Sequence, residues 1–351
     1  MLANKQESGN IVFYFSTATM MMKLLLAIVA SAGIVSLAGS IDLPCDIYDS
    51  AGTPCVAAHS TVRALYEKYE GALYQVKRSD GGVLNVGTVD GVADAAQQDA
   101  FCASSSCIIS IIYDQSGRKN HLTPAPAGSA VWRPDKGTNA SRWPVTLSKK
   151  KVYGVYFEGN EGYRNTNTSG VATGDDAESM YAVFKGDYYN GGCCFDYGNA
   201  ETNSIDDGKG TMEALYWGNS TGWGRGFGSG PWMMADLENG LWAGNQQTNP
   251  GNKPLIAKFV TGMLKGGANR FALKGGDAQA NPPSLTALYE GTRPSGYEVM
   301  KKQGSIILGI GGDNSDWAVG GSLEGAMTQG YASDATDAAV HASIVAAGYG
   351  A

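Results

Sequence analysis

Short runs of β-branched and aromatic residues, each cut off by Gly, Asn, Asp or Pro, recur along this chain: Cys107 to Tyr113, Tyr153 to Phe157, Met180 to Phe184, Leu255 to Val260 and Ser305 to Ile310. Runs of this length and spacing read as strands joined by turns. With 49 glycines, 18 tyrosines and 7 tryptophans in 351 residues, the pattern predicts an all-β fold, a β-sandwich with a few short helices and an aromatic binding surface. One helix is expected after His59 and Ser60, where Val62, Leu65, Tyr66 and Tyr69 follow the i, i+3, i+4, i+7 spacing. A second should start at a cap on Ser333 or Asp334 and run toward Ala347. No repeat, low-complexity linker or composition break divides residues 41–351, so these are read as a single domain.

The N-terminus sets the compartment. Lys23 precedes an apolar run from Leu24 to Val35, and the small residues Ala38, Gly39 and Ser40 follow. That is the order of a secretory signal peptide, and the run is too short to span a bilayer comfortably. Met20, Met21 and Met22 stand just before Lys23, so a start there would make residues 1–19 an upstream extension. Residues 1–40 are therefore read as extension plus signal peptide, and the mature chain as secreted into an extracellular, oxidising space with no membrane attachment. Three sequons, at Asn139, Asn167 and Asn219, fit that compartment. A net charge of −7 argues against nucleic acid or an anionic membrane as partner. A monomer is the default.

Several chemistries are disfavoured. Three histidines, His59, His121 and His341, form no ligand-spaced cluster, so no metal site is expected, and nothing calls for an organic cofactor. Gly218-Asn219-Ser220-Thr221-Gly222 matches a nucleophile-elbow pattern but lacks the strand before it and the helix after it that the elbow requires, and it overlaps a sequon. A Ser-His-Asp triad through His59 or His121 stays open. The glycine-rich run from Gly224 to Gly230 lacks the lysine of a phosphate loop.

Carboxylates and sulfur remain. In Trp232-Met-Met-Ala-Asp-Leu-Glu238, strand alternation places Met234, Asp236 and Glu238 on one face. Trp223, Trp232 and Trp242 are close by in sequence, and aromatic faces beside carboxylates suit a sugar cleft. Asp313 follows an apolar strand through Gly311 and Gly312, which let a ligand approach the backbone. Cys193 and Cys194 are adjacent. Bonded to each other, they would close a rigid apolar ring with a distorted peptide bond, usable as the floor of a ligand site. Six cysteines allow about fifteen connectivities. The most local one joins 45 to 55, 102 to 107 and 193 to 194, while other pairings or free thiols stay open.

The stretches PCDIYDSAGTPCVAAHST from Pro44, CIISIIYDQSG from Cys107, GGCCFDYGNAET from Gly191, MADLENGLWAG from Met234 and IILGIGGDNS from Ile306 resemble the catalytic domain of family 54 glycoside hydrolases, the secreted α-L-arabinofuranosidases. The resemblance spans nearly the whole mature chain. It implies a concanavalin-like β-sandwich (jelly roll), with Glu238 as nucleophile and Asp313 as general acid/base. It further implies disulfides Cys45–Cys55, Cys102–Cys107 and Cys193–Cys194, the last beneath the arabinose, and a sugar subsite lined by Trp223, Asp236, Asn239 and Gly312. The expected partner is an arabinose-substituted polysaccharide or oligosaccharide, cleaved by double displacement with retention. Retention places the two carboxyl groups roughly 5 to 5.5 Å apart, with Asp313 raised in pKa and Glu238 ionised. Members of that family commonly continue into an arabinose-binding β-trefoil. This sequence stops at Ala351, so weaker retention on insoluble arabinoxylan is expected. A non-catalytic arabinose-binding lectin is the alternative reading; having both Glu238 and Asp313 favours the enzyme.

Overall fold

Four of the five β-branched and aromatic runs fall in strands of two facing antiparallel sheets, while the run from Cys107 pairs with Tyr74–Arg78 in a separate three-stranded sheet. The structure is a computed structural model that describes residues 42–351; the expected signal peptide and upstream extension lie outside the described residues. One sheet has eight strands, with neighbours in the order Thr286–Thr292, Arg270–Asp277, Phe259–Gly267, Glu178–Lys185, Gly320–Gln329, Lys150–Phe157 and Trp143–Leu147. Its eighth strand, Cys55–Ser60, also pairs with Gly320–Gln329. The other sheet has seven, ordered Leu241–Trp242, Trp232–Asp236, Glu213–Gly218, Asp196–Ala200, Ser305–Leu308, Tyr163–Asn165 and Thr123–Pro124. The all-β sandwich expected from the strand rhythm is therefore what forms.

Aromatic side chains join the sheets. Phe157 and Phe184 of the eight-stranded sheet meet Phe195 edge-on at ring separations of 5.3 and 5.6 Å, and Phe184 also stacks on Trp217 at 6.5 Å. Edge-to-face and offset pairs at such separations each add about 1 kcal/mol beyond area burial. Gly262 faces Met233 and Leu215 of the opposite sheet, where a Cβ would collide with the methionine. This glycine sets how closely the layers approach.

Local patterns succeed or fail according to tertiary partners. Ser333 caps the helix Asp334–Ala346 by accepting a hydrogen bond from the Thr336 N–H at 3.1 Å, as its position predicted. The helix expected over Val62 to Tyr69 does not form. Val62 and Leu65 are buried in the core, but the backbone there bonds to distant partners: Ala64 N–H to the Gly91 carbonyl, Cys45 N–H to the Leu65 carbonyl, and Leu65 N–H to the Gln115 side chain. With its backbone satisfied from outside, this segment gains nothing from a helix's internal bonds. The run from Leu255 also enters its strand late, at Phe259. Two short helices that sequence spacing did not signal, Pro44–Ser50 and Ala95–Cys102, also form. Among the described residues no helix is long and apolar enough to cross a membrane.

All three local disulfides form: Cys45–Cys55, Cys102–Cys107 and Cys193–Cys194, the last across a cis peptide bond. In the strand Trp232–Asp236, Met233 and Ala235 enter the inter-sheet core. Trp232 and Met234 point the other way, into a separate buried cluster with Cys194, Tyr216, Leu241 and Ala243. Alternation thus puts Asp236 on the outer face of the seven-stranded sheet, and the candidate site is built on that face.

Candidate active site

The strand carrying Asp236 ends at that residue, so the expected alternation does not itself deliver Glu238. A two-residue hairpin does. Asp236 pairs with Leu241, the Leu237 N–H bonds to the Gly240 carbonyl, and the central pair Glu238 and Asn239 have φ of 62° and 55°. Two positive φ values in a row mark a type I′ turn, which favours Asn-Gly. Holding a glutamate there costs roughly 1 to 2 kcal/mol, the kind of local strain that gathers at functional sites. Neighbours hold the turn. The Glu238 N–H donates to Asp236 Oδ1 at 3.0 Å, and the buried Tyr297 hydroxyl donates to the Glu238 carbonyl at 2.7 Å. Trp242 packs against the Tyr297 ring at 5.1 Å. Tyr297→Phe removes only that donor, and we expect it to lower stability by about 1 kcal/mol and kcat about tenfold with little change in KM. An unchanged kcat would mean the turn is held without it.

Opposite the hairpin, Ser305–Leu308 leads into a tight loop. Gly311 N–H bonds to the Ser315 carbonyl, Asn314 N–H bonds to the Gly311 carbonyl, and Ser315 N–H donates to Asp313 Oδ1 at 3.0 Å. The same Ser315 carbonyl accepts from Cys194 N–H at 3.3 Å, which fastens the vicinal disulfide to the Asp313 loop. Cys194 Sγ lies 3.4 Å from Asp236 Oδ2. A disulfide sulfur carries no proton, so this is packing and not a hydrogen bond. Cys193, Cys194 and Asp236 are close enough to suggest a metal site. With both sulfurs bonded to each other, only one carboxylate is left to ligate, and the group does not fit a metal.

These pieces enclose one cavity of about 370 Å³, the right order for one sugar ring. All eight residues expected at the catalytic centre and subsite line it: Cys193, Cys194, Trp223, Asp236, Glu238, Asn239, Gly312 and Asp313. The alternatives left open in the sequence do not assemble. A strand does precede Ser220, but a loop follows it and the residue is buried. Both ring nitrogens of His59 are taken, by the Tyr197 hydroxyl and the Asn120 carbonyl, and His121 Nδ1 accepts from the Asp114 N–H.

Charge is where the site departs from expectation. Burial, then the neighbouring Asp236 and Glu201, push the Glu238 carboxyl up to about 12, so it carries a proton at neutral pH. Glu238 was expected to stand ionised. Burial also lifts Asp236 to about 7 and, with repulsion from Asp236, holds Asp196 well above the carboxylate range. Neither Asp196 oxygen meets a donor group, so a proton shared with Asp236 completes that pair.

Sequence reasoning passed over Glu201 and Arg164. Glu201 is fully buried, takes the Thr211 hydroxyl on Oε1 at 2.7 Å, and presses Oε2 against Gly312, where any Cβ would collide with it. Arg164 is buried too, donates to the carbonyls of Gly312 and Glu201, and supplies positive charge near Glu201, Asp313 and Glu238. Burial lowers its pKa to about 10, which still leaves it charged at neutral pH. Glu201 stands within the quoted GGCCFDYGNAET stretch, but nothing local marks it as part of the site.

The family model described as "Alpha-L-arabinofuranosidase B, catalytic" matches residues 44–350. The chain belongs to this family. It is 55% identical over 336 residues to the probable α-L-arabinofuranosidase B of Aspergillus clavatus, covering 93% of this chain and 65% of that protein. It is 56% identical over 334 residues to α-L-arabinofuranosidase B of Aspergillus oryzae, covering 92% and 65%. A Glu-to-Gln mutant of a family 54 α-L-arabinofuranosidase, soaked with 4-nitrophenyl α-L-arabinofuranoside, superposes with a TM-score of 0.84 at 52% identity over 87% of this chain and 65% of that one. An arabinofuranosidase complexed with arabinofuranosyl-α-1,2-xylobiose matches equally well. The chain thus spans 65% of the length of these arabinofuranosidases.

Proposed function

We propose that this arabinofuranosidase-family chain is a secreted, retaining exo-α-L-arabinofuranosidase domain that releases terminal arabinofuranosyl residues from plant polysaccharides and oligosaccharides. One observation carries the reading: a single sugar-sized cavity has Glu238 on a strained hairpin, Asp313 on a facing loop and the Cys193–Cys194 ring between them. A pocket rather than an open groove suits removal of one end sugar.

In the first step Glu238 attacks the anomeric carbon while Asp313 gives its proton to the departing glycosidic oxygen, leaving an arabinosyl ester on Glu238. In the second, Asp313 takes a proton from water, which attacks the same carbon and frees both arabinose and Glu238. Attack requires Glu238 in its ionised form. Arg164 supplies positive charge nearby that offsets the negative charge then left on Glu238. The disulfide packs against the ring and takes no part in proton transfer. Exposed Asn139 and Asn167 are open to glycan attachment, while Asn219 is half-buried beside Gly230.

The direct test is hydrolysis of 4-nitrophenyl α-L-arabinofuranoside in methanol–water, followed by proton NMR. We expect turnover and methyl α-L-arabinofuranoside as the first transfer product, the same anomer as the substrate. The opposite anomer would rule out retention, and arabinose binding without turnover would move the reading to a lectin.

A further inference from the structure

Three tryptophans stand open around the site: Trp223 and Trp317 line the cavity at 54% and 57% exposed, and Trp132 is 91% exposed. Trp223 belongs to the hairpin side, its carbonyl accepting from Leu241 N–H. The other two belong to the Asp313 side. Trp317 follows Asp313 by four residues, and its carbonyl accepts from the Asn190 side chain at 3.2 Å. The loop bearing Trp132 is tied to the same place: Ala130 N–H donates to the Asp313 carbonyl at 3.0 Å, Ser129 N–H to the Ser204 carbonyl at 2.9 Å, and Gly128 lies against the Asp313 backbone. Arg133, next to Trp132, bridges Asp316, next to Trp317, at 2.8 Å.

One ion pair thus clamps two loops, and each loop presents an indole to solvent. Leaving two large apolar rings in water has no benefit for folding, and clustered exposure of this kind marks a binding surface. Because the backbones beneath them are already fixed, docking a ligand on these rings orders little.

We propose that Trp132 and Trp317 form a platform for the leaving-group sugars, specifically the pyranose rings of a xylan backbone. This rests on the proposed function: the acid must face the departing oxygen, so the rest of the substrate leaves the pocket on the Asp313 side. Pyranose rings with equatorial hydroxyls offer a broader, flatter C–H face to an indole than the puckered furanose rings of an arabinan do.

The test compares methyl α-L-arabinofuranoside, which has no leaving-group ring, with an arabinose-substituted xylo-oligosaccharide. In Trp132→Ala with Trp317→Ala, the kcat/KM ratio of oligosaccharide to methyl glycoside should fall about tenfold or more, mainly through KM, the usual cost of losing a buried aromatic anchor. An unchanged ratio overturns the platform. Binding of the same oligosaccharide, measured calorimetrically on Glu238→Gln with and without the two Trp changes, needs no turnover. Affinity should drop by a similar factor, and equal affinity overturns the platform whatever the activity. Absence of hydrolysis in the wild type with an affinity drop intact would instead count only against the catalytic reading.

Discussion

Glu238→Gln is expected to lose about 10⁴-fold or more in kcat on 4-nitrophenyl α-L-arabinofuranoside while gaining stability near neutral pH. The two effects have one origin. An amide cannot form the arabinosyl ester, so the first step is blocked even with an activated leaving group. The same amide keeps the shape of the glutamic acid without needing a proton. In the folded protein the Glu238 pKa is raised from 4.5 to about 12, so the native state binds its proton more tightly than the unfolded chain does. Stability from this group is therefore full below about pH 4.5 and is lost progressively as pH rises. By pH 7 the wild type has given up at most about 3 kcal/mol that the Gln variant never had to supply, at 1.36 kcal/mol per pH unit. Urea unfolding at about pH 4, 5.5 and 7 should show the variant's advantage growing with pH. A constant difference across that range would mean that Glu238 holds no extra proton in the folded protein, and full activity in the variant would remove it from the nucleophile role.

Part of this arrangement could be read before the fold was known, and the limit has a physical cause. Period-two alternation in Trp232–Asp236 put Asp236 on the same face as Met234, because side chains along a strand point alternately to its two faces. It could not locate Glu238, because Glu-Asn carries no signal for a turn that prefers Asn-Gly. The i, i+3, i+4 spacing at Val62 to Tyr69 misled for a related reason: apolar spacing reports which side chains are buried, and partners from Gly91, Gln115 and Cys45 decided the backbone. Adjacent cysteines suggested a rigid floor, and the Ser315 carbonyl places that floor beside Asp313. The charge balance was out of reach altogether. It pools Asp196, Glu201, Asp236, Glu238 and Asp313 with Arg164, groups that only the folded sheet brings together.

Asp313→Ala should separate substrates by leaving group. Removing the carboxylate costs the loop the Ser315 N–H bond, but Ala130 N–H on the Asp313 carbonyl and Arg164 on the preceding Gly312 carbonyl still hold its backbone in place. An arabinosyl bond to a sugar hydroxyl then has no proton for its departing oxygen, and kcat/KM on an arabinosylated oligosaccharide should fall about 10² to 10⁴-fold. 4-Nitrophenolate leaves without a proton, so formation of the Glu238 ester from the aryl substrate should be retained far better. The second step still lacks its base, and the ester should accumulate, giving a burst of nitrophenol followed by slow turnover. Azide needs no deprotonation, and adding it should restore turnover and yield an arabinosyl azide of retained configuration. Equal losses on both substrates, with no burst and no azide rescue, would remove Asp313 from the acid/base role and leave it as a loop residue that shapes the pocket.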